Sequence, residues 1–343
     1  MNKKARGLSI EAAAARFGWP LTRMKVCELT LSYKCNARCV FCYSSPEMEA
    51  WNSKRGLDFR KASAYLLSSY KNGSRMVQFI GGEPTVYDEL PKLTRLAARI
   101  GYPAIQIVSN GLRLADRAYA RELASAGLNT AVLSIHGASA SAHDPITGIK
   151  GSFTKVMKAA ENLLSLGVYL NTGTAVTGLN YKSLPRLVKF VTAGLGVDSC
   201  HIIATHYIGA AYENKSRLKI SYRAQLPYVE EALRVFHANI KRPAFGMLSN
   251  YLPCLLPGRE NLMGDWKYPV DDDDLFLPDA VYRDRMYGMI TDSLRMKAPA
   301  CRGCVYDKVC AGFEKEYFAI YGGSEFKPLK KRPAPLGPDP VYS

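Results

Sequence analysis

Short apolar runs alternate with longer amphipathic segments between residues 25 and 205. The short runs are rich in β-branched residues, and the longer segments repeat apolar positions at helical spacing and often end at glycine. The predicted strands are 25–33, 75–80, 104–109, 130–135, 168–176 and 199–205, and the predicted helices are 58–73, 87–101, 115–127, 152–167, 181–194 and 222–240. Strand–helix units in succession predict an α/β fold, a partial (β/α)6 barrel of the TIM type. A doubly wound open sheet is the alternative.

The pattern changes after the last predicted helix, where cysteines, prolines and loop residues replace the strand–helix rhythm. We therefore expect four parts along the chain. They are an N-terminal extension (1–23), the barrel (24–245), a small cysteine-rich appendage (246–326) and a mobile tail rich in proline and lysine (327–343).

Composition narrows the class of protein. The 343 residues carry a formal net charge of +16, no apolar run is long enough to span a membrane, and no apolar segment of a secretory signal follows the basic N-terminus. We expect a cytoplasmic protein without a membrane partner, whose nine cysteines stay reduced. Metal or redox chemistry is then the natural use of these thiols. The positive charge leaves a nucleic-acid partner open, although basic residues are concentrated only in the tail, and the acidic run 271–274 is expected in a solvated loop.

The unusual loops all follow predicted strands. Three cysteines, Cys35, Cys39 and Cys42, follow the first strand, and the sequences GGEPT (81–85), SNG (109–111) and SIHG (134–137) close the next three. In a parallel barrel these loops share one face, which is where such folds place their chemistry.

The cysteine loop offers three ligands rather than four. A structural zinc site is usually closed by four ligands, and the next histidine downstream is His136. Three thiolates on an iron–sulfur cluster with one open iron fit the loop better than zinc does.

The C-x3-C-x2-C loop after a first barrel strand resembles that of the radical S-adenosylmethionine (radical SAM) enzymes. The resemblance implies that Cys35, Cys39 and Cys42 hold a [4Fe–4S] cluster and that S-adenosylmethionine binds its fourth iron. One electron then cleaves S-adenosylmethionine and releases a 5′-deoxyadenosyl radical. It also implies that Phe41, just before the third cysteine, packs near the adenine.

The other strand ends extend the resemblance. GGEPT is similar to the GGE-P element of the family, which binds the methionine amino group; a tight turn is the alternative. By this resemblance the cofactor-binding residues are Gly81, Gly82, Glu83, Pro84, Ser109, Asn110, Ser134 and His136. His136 is equally open to a structural role, and Asn171 or Thr174 on the fifth strand is expected to face the cofactor. We interpret His143 and Asp144 as structural and Ser152 as a helix N-cap.

A second cysteine group lies near the C-terminus. Cys301, Cys304 and Cys310 have C-x2-C-x5-C spacing, and Cys254 completes four thiols. The spacing resembles the SPASM/twitch regions of radical SAM enzymes, which implies an auxiliary [4Fe–4S] cluster; zinc is the alternative. The chain departs from the SPASM pattern at Glu314, where a further cysteine is expected. Cys27 and Cys200 lie within apolar strands and are predicted to be core residues.

Together these features predict a radical SAM enzyme that abstracts a hydrogen from a small-molecule or peptide substrate. Its electron donor would be a protein such as flavodoxin or ferredoxin. His206 and Tyr207, after the sixth strand, are the candidate catalytic residues, with His201 and Glu213 as weaker ones. The alternatives are a radical SAM enzyme acting on a nucleotide or RNA, and a non-enzymatic protein with two zinc sites that binds metal or RNA.

Overall fold

The computed structural model describes residues 25–43, 56–240, 247–264 and 294–336, and the backbone of 275–279 and 283–286. The predicted acidic loop at 271–274 and the N-terminal extension lie outside the described residues. Helices in the described chain are α1 (Phe59–Lys71), α2 (Leu90–Ile100), α3 (Arg117–Ala126), α4 (Ala140–Thr147), α5 (Ser152–Ser165), α6 (Leu184–Lys189), α7 (Ala210–Glu213), α8 (Lys215–Leu218), α9 (Tyr222–Asn239) and α10 (Lys315–Tyr321).

The central sheet contains the six predicted strands in sequential order. They are β1 (Val26–Ser32), β2 (Met76–Gly81), β3 (Ala104–Ser109), β4 (Thr130–Ser134), β5 (Tyr169–Val176) and β6 (Cys200–Ala204). All neighbours among them are parallel, and no strand reverses the order. The partial (β/α) barrel is therefore confirmed, and the doubly wound alternative, which needs a reversal of strand order, is not.

The sheet extends further than the sequence indicates. The strand β7 (Leu248–Ser249) pairs with β6, β8 (Leu275–Asp279) pairs with β1, and β9 (Arg283–Met286) pairs with β8. These three strands belong to the region 246–326 that we expected to be a separate appendage. Edge strands of an open sheet present unpaired backbone groups, and these segments satisfy them. The hairpin β10 (Arg295–Met296) and β11 (Phe313–Glu314) forms its own small sheet.

The strands bury one face against the helices. Leu29, Phe79 and Ile107 lie in the hydrophobic core and alternate with polar residues that face the other way. Cys27 and Cys200, which we predicted as core residues, are also buried there, and burial raises the pKa of both thiols to about 12.

The opposite face carries a polar row at one level. Glu28, Gln78, Gln106 and Thr130 are in register on adjacent strands. Gln78 donates to Gln106, and Gln106 Nε2 donates to Thr130 Oγ1 at 3.0 Å. Burial raises the pKa of Glu28 to about 7. The inner side of the barrel is thus polar below the loops at the strand ends.

Two local differences from the sequence prediction concern helix ends. The region predicted as one helix at 181–194 is a 3-10 turn, α6 and a π-helical turn at Phe190–Gly194 in succession. The N-cap of α5 is Gly151 rather than Ser152. Asp144 takes over the capping role, because its carboxylate accepts from the Gly151 and Phe153 amides and the Ser152 hydroxyl. The structural interpretation of Asp144 agrees with these contacts.

Candidate active site

The cysteine loop is held on two sides by the backbone of other elements. On one side the amides of Arg38 and Val40 donate to the last turn of α4, at 3.0 Å and 2.9 Å. On the other side the Ala211 amide of α7 donates to the Cys42 carbonyl at 3.3 Å. Gly148, which follows α4 with φ +70°, lies so close that a Cβ there would be 2.4 Å from the Arg38 carbonyl oxygen. The conformation of the loop is therefore fixed by the fold around it.

The three thiols of this loop are partly exposed and interact electrostatically. Cys35, Cys39 and Cys42 form no disulfide. Burial raises the pKa of the Cys39 thiol, and the neighbouring Cys35 and Cys42 raise it further. Cys35 Sγ accepts from the Ala37 amide at 3.4 Å and from Asn110 Nδ2 at 3.8 Å. Donors aimed at sulfur favour a thiolate, so this donor set fits a cluster ligand.

The two glycines after β2 press against the start of the cysteine loop. Gly81 has φ +132°, and a Cβ there would lie 2.1 Å from the Ser32 carbonyl oxygen. A Cβ on Gly82 would lie 2.3 Å from the carbonyl oxygens of Tyr33 and Lys34. The Glu83 amide donates to the Lys34 carbonyl at 2.8 Å. Only glycine permits this contact, and it fixes the loop after β2 against the loop after β1.

Glu83 is a buried carboxylate that ties two strand ends together. Its side chain is 1% exposed. Oε1 accepts from the Thr85 amide at 3.1 Å, from the Thr85 hydroxyl at 2.7 Å and from the Ser109 hydroxyl at 2.7 Å. Oε2 accepts from the Asn110 amide at 2.8 Å. Burial raises the pKa of Glu83, and these hydrogen bonds oppose the shift. Thr85, within the GGEPT sequence, is a contributor that the sequence analysis did not single out.

Asn110 connects the third strand end to the cysteine loop. Its Nδ2 donates to Asn36 Oδ1 at 2.7 Å, and its Oδ1 accepts from the Leu112 amide at 3.0 Å. Asn36 lies between Cys35 and Cys39 and was missed by the sequence analysis. Its position inside the cysteine motif was the available signal. The loops after β1, β2 and β3 thus form one hydrogen-bonded unit, with Pro84 buried at its base.

His136, at the end of β4, lies beside Phe41. The two rings meet edge to face with centroids 4.6 Å apart, and His136 stacks on His143 at 5.7 Å. His136 is 3% exposed, and burial, with a smaller effect of His143, lowers its pKa to about 3. Its Nδ1 accepts from the Ala175 amide at 3.3 Å, so the neutral ring carries its proton on Nε2. This Nε2 is buried without a hydrogen-bond partner among the described residues. It is therefore a donor free for a ligand.

The remaining candidates on β4 and β5 differ in whether they have a polar atom available to a ligand. Ser134 is half-buried at the end of β4, opposite Gly173 in register. Asn171 has a buried Oδ1 without a partner among the described residues. Thr174 instead donates to the Ile135 carbonyl at 2.6 Å, so its hydroxyl serves the sheet rather than the site. Of the two β5 residues expected to face the cofactor, Asn171 is the one left with a polar atom to offer.

The two catalytic candidates after β6 differ in exposure and in the partners of their polar atoms. Tyr207 is 2% exposed, and its hydroxyl is occupied by the backbone of Ile220, accepting from the amide at 2.9 Å and donating to the carbonyl at 3.3 Å. His206 contacts Glu314 through Nδ1, and its side chain is 36% exposed against 9% for Glu314. The structure thus gives Tyr207 a packing role and leaves His206 partly exposed beside Glu314. Glu314 stands where the SPASM pattern has a cysteine.

The four C-terminal cysteines come together around one cavity. Cys254, Cys301, Cys304 and Cys310 line it with Lys297, Tyr306 and Phe313. Burial, with smaller effects of the other three thiols, raises the pKa of Cys254 to about 12. The Gly312 amide donates to Cys310 Sγ at 3.3 Å. In the part of the chain that the structure describes, no group of three or more His, Cys, Asp or Glu residues is arranged to hold a single metal ion. Thiolates on a cluster bind different irons, so their spacing differs from that of a one-ion site.

Comparisons with known proteins identify a similar family, similar sequences and similar folds. Residues 29–191 match the family model described as the Radical SAM superfamily. A probable GTP 3′,8-cyclase of Saccharolobus islandicus is 29% identical over 197 residues, covering 57% of this chain and 60% of the relative. Another, of Metallosphaera sedula, is 29% identical over 196 residues, covering 57% and 59%. The chain therefore spans about 60% of the length of these curated relatives.

Among solved structures, SuiB of Streptococcus suis bound to the precursor peptide SuiA has a TM-score of 0.63 at 17% identity, covering 91% of this chain and 76% of that one. SuiB bound to S-adenosylmethionine has a TM-score of 0.62 at 16% identity, covering 92% and 79%. At this identity the likeness concerns the fold.

Among the helices of the described residues, none combines the length and hydropathy of a membrane span.

Proposed function

The chain belongs to the Radical SAM superfamily, and from that premise we propose that it is an enzyme whose Cys35, Cys39 and Cys42 hold a [4Fe–4S] cluster. The observation that carries the proposal is the joining of the three thiols, the Gly81–Gly82 contact and buried Glu83 at one edge of the sheet. When bound, the cluster supplies one electron that cleaves S-adenosylmethionine, and the resulting 5′-deoxyadenosyl radical takes a hydrogen atom from the substrate.

The residues around the thiols support a binding site for S-adenosylmethionine. Gly81 and Gly82 let the loop after β2 pack against the cysteine loop, and we propose that the backbone of this loop binds the methionine ammonium. Glu83 is already saturated by protein donors on Oε1, so we propose that it orients this loop and offers the ammonium at most its Oε2. The free Nε2–H of His136, beside Phe41, would donate to the nucleoside. Ser134 and Asn171 would contact it from the neighbouring strands.

We propose that Cys254, Cys301, Cys304 and Cys310 hold an auxiliary [4Fe–4S] cluster. Four thiolates close such a cluster, and their shared cavity supports this set. Zinc is the competing occupant of four thiolates. Two clusters correspond to about eight iron and about eight sulfide per chain, whereas zinc in the second site would leave about four iron.

His206 is the acid–base residue that we propose for the substrate reaction. A carboxylate beside an imidazole orients the ring, and Glu314 provides that contact. Tyr207 is not proposed for this role because its hydroxyl is occupied by the backbone.

The proposed substrate is a small molecule or a peptide. A peptide is supported by the fold shared with SuiB, whose structure contains a precursor peptide. A nucleotide is the second candidate, because the curated relatives matched over 57% of this chain are named as probable GTP 3′,8-cyclases. Adding GTP to the reconstituted enzyme and identifying the products by mass spectrometry would distinguish these substrates. A GTP-derived product would establish a nucleotide substrate, and unchanged GTP would favour a different small molecule or a peptide.

The central experiment is anaerobic reconstitution, followed by iron, sulfide and zinc analysis and by an assay for 5′-deoxyadenosine with dithionite and S-adenosylmethionine. We expect iron in both sites and formation of 5′-deoxyadenosine. The Cys35→Ala/Cys39→Ala/Cys42→Ala variant should lose about four iron and all 5′-deoxyadenosine, whereas Cys200→Ala, which changes a core thiol, should keep both. Zinc without iron, or activity that survives the triple change, would overturn the proposal.

A further inference from the structure

The basic segment near the C-terminus packs directly on the cysteine-rich loop. Residues 327–343 were expected to form a mobile tail, but residues 327–336 are held in place. The Val305 amide donates to the Leu329 carbonyl at 2.7 Å, and the Leu336 amide donates to the Gly258 carbonyl at 2.8 Å. Lys330 Nζ lies 3.4 Å from the Gly303 carbonyl oxygen. These hydrogen bonds join the basic C-terminal segment to the loop of Cys301, Cys304 and Cys310, so that the two segments share a surface.

This surface, here called the C-terminal basic patch, consists of exposed cations from both segments. They are Arg302, Lys308, Lys327, Lys330, Lys331 and Arg332. Within the described chain, none of them forms an ion pair with a carboxylate. The nearby acids are engaged elsewhere, since Asp307 pairs with Lys297 and Glu260 accepts from the Tyr306 hydroxyl. Among the described residues the patch therefore carries positive charge that no ion pair neutralises.

The patch lies over the four-cysteine cavity and includes exposed aliphatic side chains. Lys327 lines the cavity itself. Val305 and Val309, which lie between Cys304 and Cys310, are 38% and 39% exposed. Cys301, Cys304 and Cys310 are themselves partly exposed. A group bound by these thiols would thus lie close to both exposed aliphatic side chains and exposed cations, two kinds of residue that protein interfaces combine.

We propose that the C-terminal basic patch is the docking surface of an acidic one-electron carrier protein, which exchanges electrons with the auxiliary cluster. The inference rests on the proposed function, because it requires an iron–sulfur cluster rather than zinc in the four-cysteine site. In the exchange the reduced cluster gives up one electron, and the flavin or iron–sulfur centre of the carrier gains one. Opposite charges steer the two proteins together, so the association rate should fall when salt screens these charges.

The features of the patch favour a protein over a nucleic acid. Sequence-tolerant binding of single strands relies on exposed aromatic rings on which bases stack. The exposed apolar residues of the two segments are aliphatic, namely Val305, Val309 and Leu336, and Tyr306 is buried. The thiolate cavity beneath the patch also supplies a reason for a redox partner to dock there.

The test measures binding of oxidised flavodoxin, an acidic carrier, to the reconstituted enzyme by isothermal titration calorimetry. We compare the wild type with Arg302→Glu/Lys308→Glu/Lys331→Glu. The matched control is Lys71→Glu/Arg99→Glu/Lys158→Glu. It reverses three exposed cations on the barrel helices α1, α2 and α5, outside the two segments that form the patch. We expect the patch variant to weaken binding at least about 10-fold, and the control to stay within about 2-fold. Raising the ionic strength from about 0.01 M to about 0.1 M shortens the Debye length from about 30 Å to about 10 Å, and should weaken wild-type binding and narrow the difference.

A second measurement follows electron transfer to flavodoxin from the dithionite-reduced Cys35→Ala/Cys39→Ala/Cys42→Ala variant after removal of excess reductant. We expect this transfer to slow at least about 10-fold when the patch charges are reversed. Circular dichroism and iron content verify that each variant folds and keeps its cluster.

Wild-type flavodoxin affinity in the patch variant overturns the inference. So does preferential, patch-dependent binding of a single-stranded uridine oligonucleotide in a parallel titration. Failure of the proposed function shows separately, as absence of 5′-deoxyadenosine when dithionite alone reduces the wild type, or as zinc in the four-cysteine site.

Discussion

Replacing Glu83 with Gln tests whether this carboxylate holds the loops of the site in place. A glutamine whose carbonyl oxygen occupies the position of Oε1 keeps the donors from Thr85 and Ser109. Its amide group then faces the Asn110 amide, which donates to Oε2 at 2.8 Å in the native chain. One charge-assisted hydrogen bond is replaced by two opposed donors in a buried place.

A hydrogen bond to a charged group contributes about 1.5–3 kcal/mol, and an unsatisfied buried donor costs about 1–3 kcal/mol. The gain from no longer burying an ionised carboxyl offsets part of this, because burial raises the pKa of Glu83. We therefore expect a net loss of about 2 kcal/mol. In a chain of this size that corresponds to a fall in Tm of roughly 4 °C. Glu83→Ala leaves every donor unpaired and opens a cavity, so its loss should reach about 4 kcal/mol or more.

The assay is thermal and urea unfolding of the anaerobically reconstituted chain, followed by circular dichroism, with iron retention as a second readout. Glu89→Gln is the matched control, because its side chain is 38% exposed and its Lys92 partner is 3.4 Å away; its effect should stay within about 0.5 kcal/mol. The expected order of stability is wild type and Glu89→Gln, then Glu83→Gln, then Glu83→Ala. Wild-type stability in Glu83→Gln, combined with weaker binding of S-adenosylmethionine, would refute the reasoning and make Glu83 a direct ligand instead.

Three further predictions follow from the site. Gly81→Ala should strongly reduce iron retention and 5′-deoxyadenosine formation, because a Cβ there would lie 2.1 Å from the Ser32 carbonyl oxygen. Gly167→Ala, at a position that also has a positive φ but whose Cβ meets nothing within 4 Å, reports the cost of positive φ alone, and equal effects of both would contradict the steric argument. Cys254→Ala should lower the iron content by up to about four per chain while dithionite-driven 5′-deoxyadenosine persists, and an unchanged iron count would remove Cys254 from the ligand set. His136 has a folded pKa lowered to about 3, so the unfolded chain binds its proton more readily, and stability should fall as pH drops below about 6.5 and continue to fall until about pH 3; denaturant titrations of His136→Gln should show a shallower decline between pH 6 and pH 4, and an identical decline would mean that His136 does not contribute.

The sequence by itself determined the elements whose signals are local. Alternation of short apolar runs with amphipathic segments encodes the six strands, because side-chain periodicity follows the geometry of each element. The cysteine spacing and the Gly81–Gly82 pair are likewise local, and the parallel order of the strands then places their loops at one edge. His136 was left open by sequence, since its role depends on the tautomer that the Ala175 amide imposes from the next strand.

Only the tertiary structure decided the features that depend on contacts between distant parts of the chain. It added β7 and β8 to the sheet edges, occupied Tyr207 with the Ile220 backbone, and set Glu314 against His206. It also brought Cys254 to the later cysteine loop and held the basic C-terminal segment on that loop. No periodicity marks such contacts, because each is fixed by packing and hydrogen bonding between segments that are neighbours in space and not in sequence.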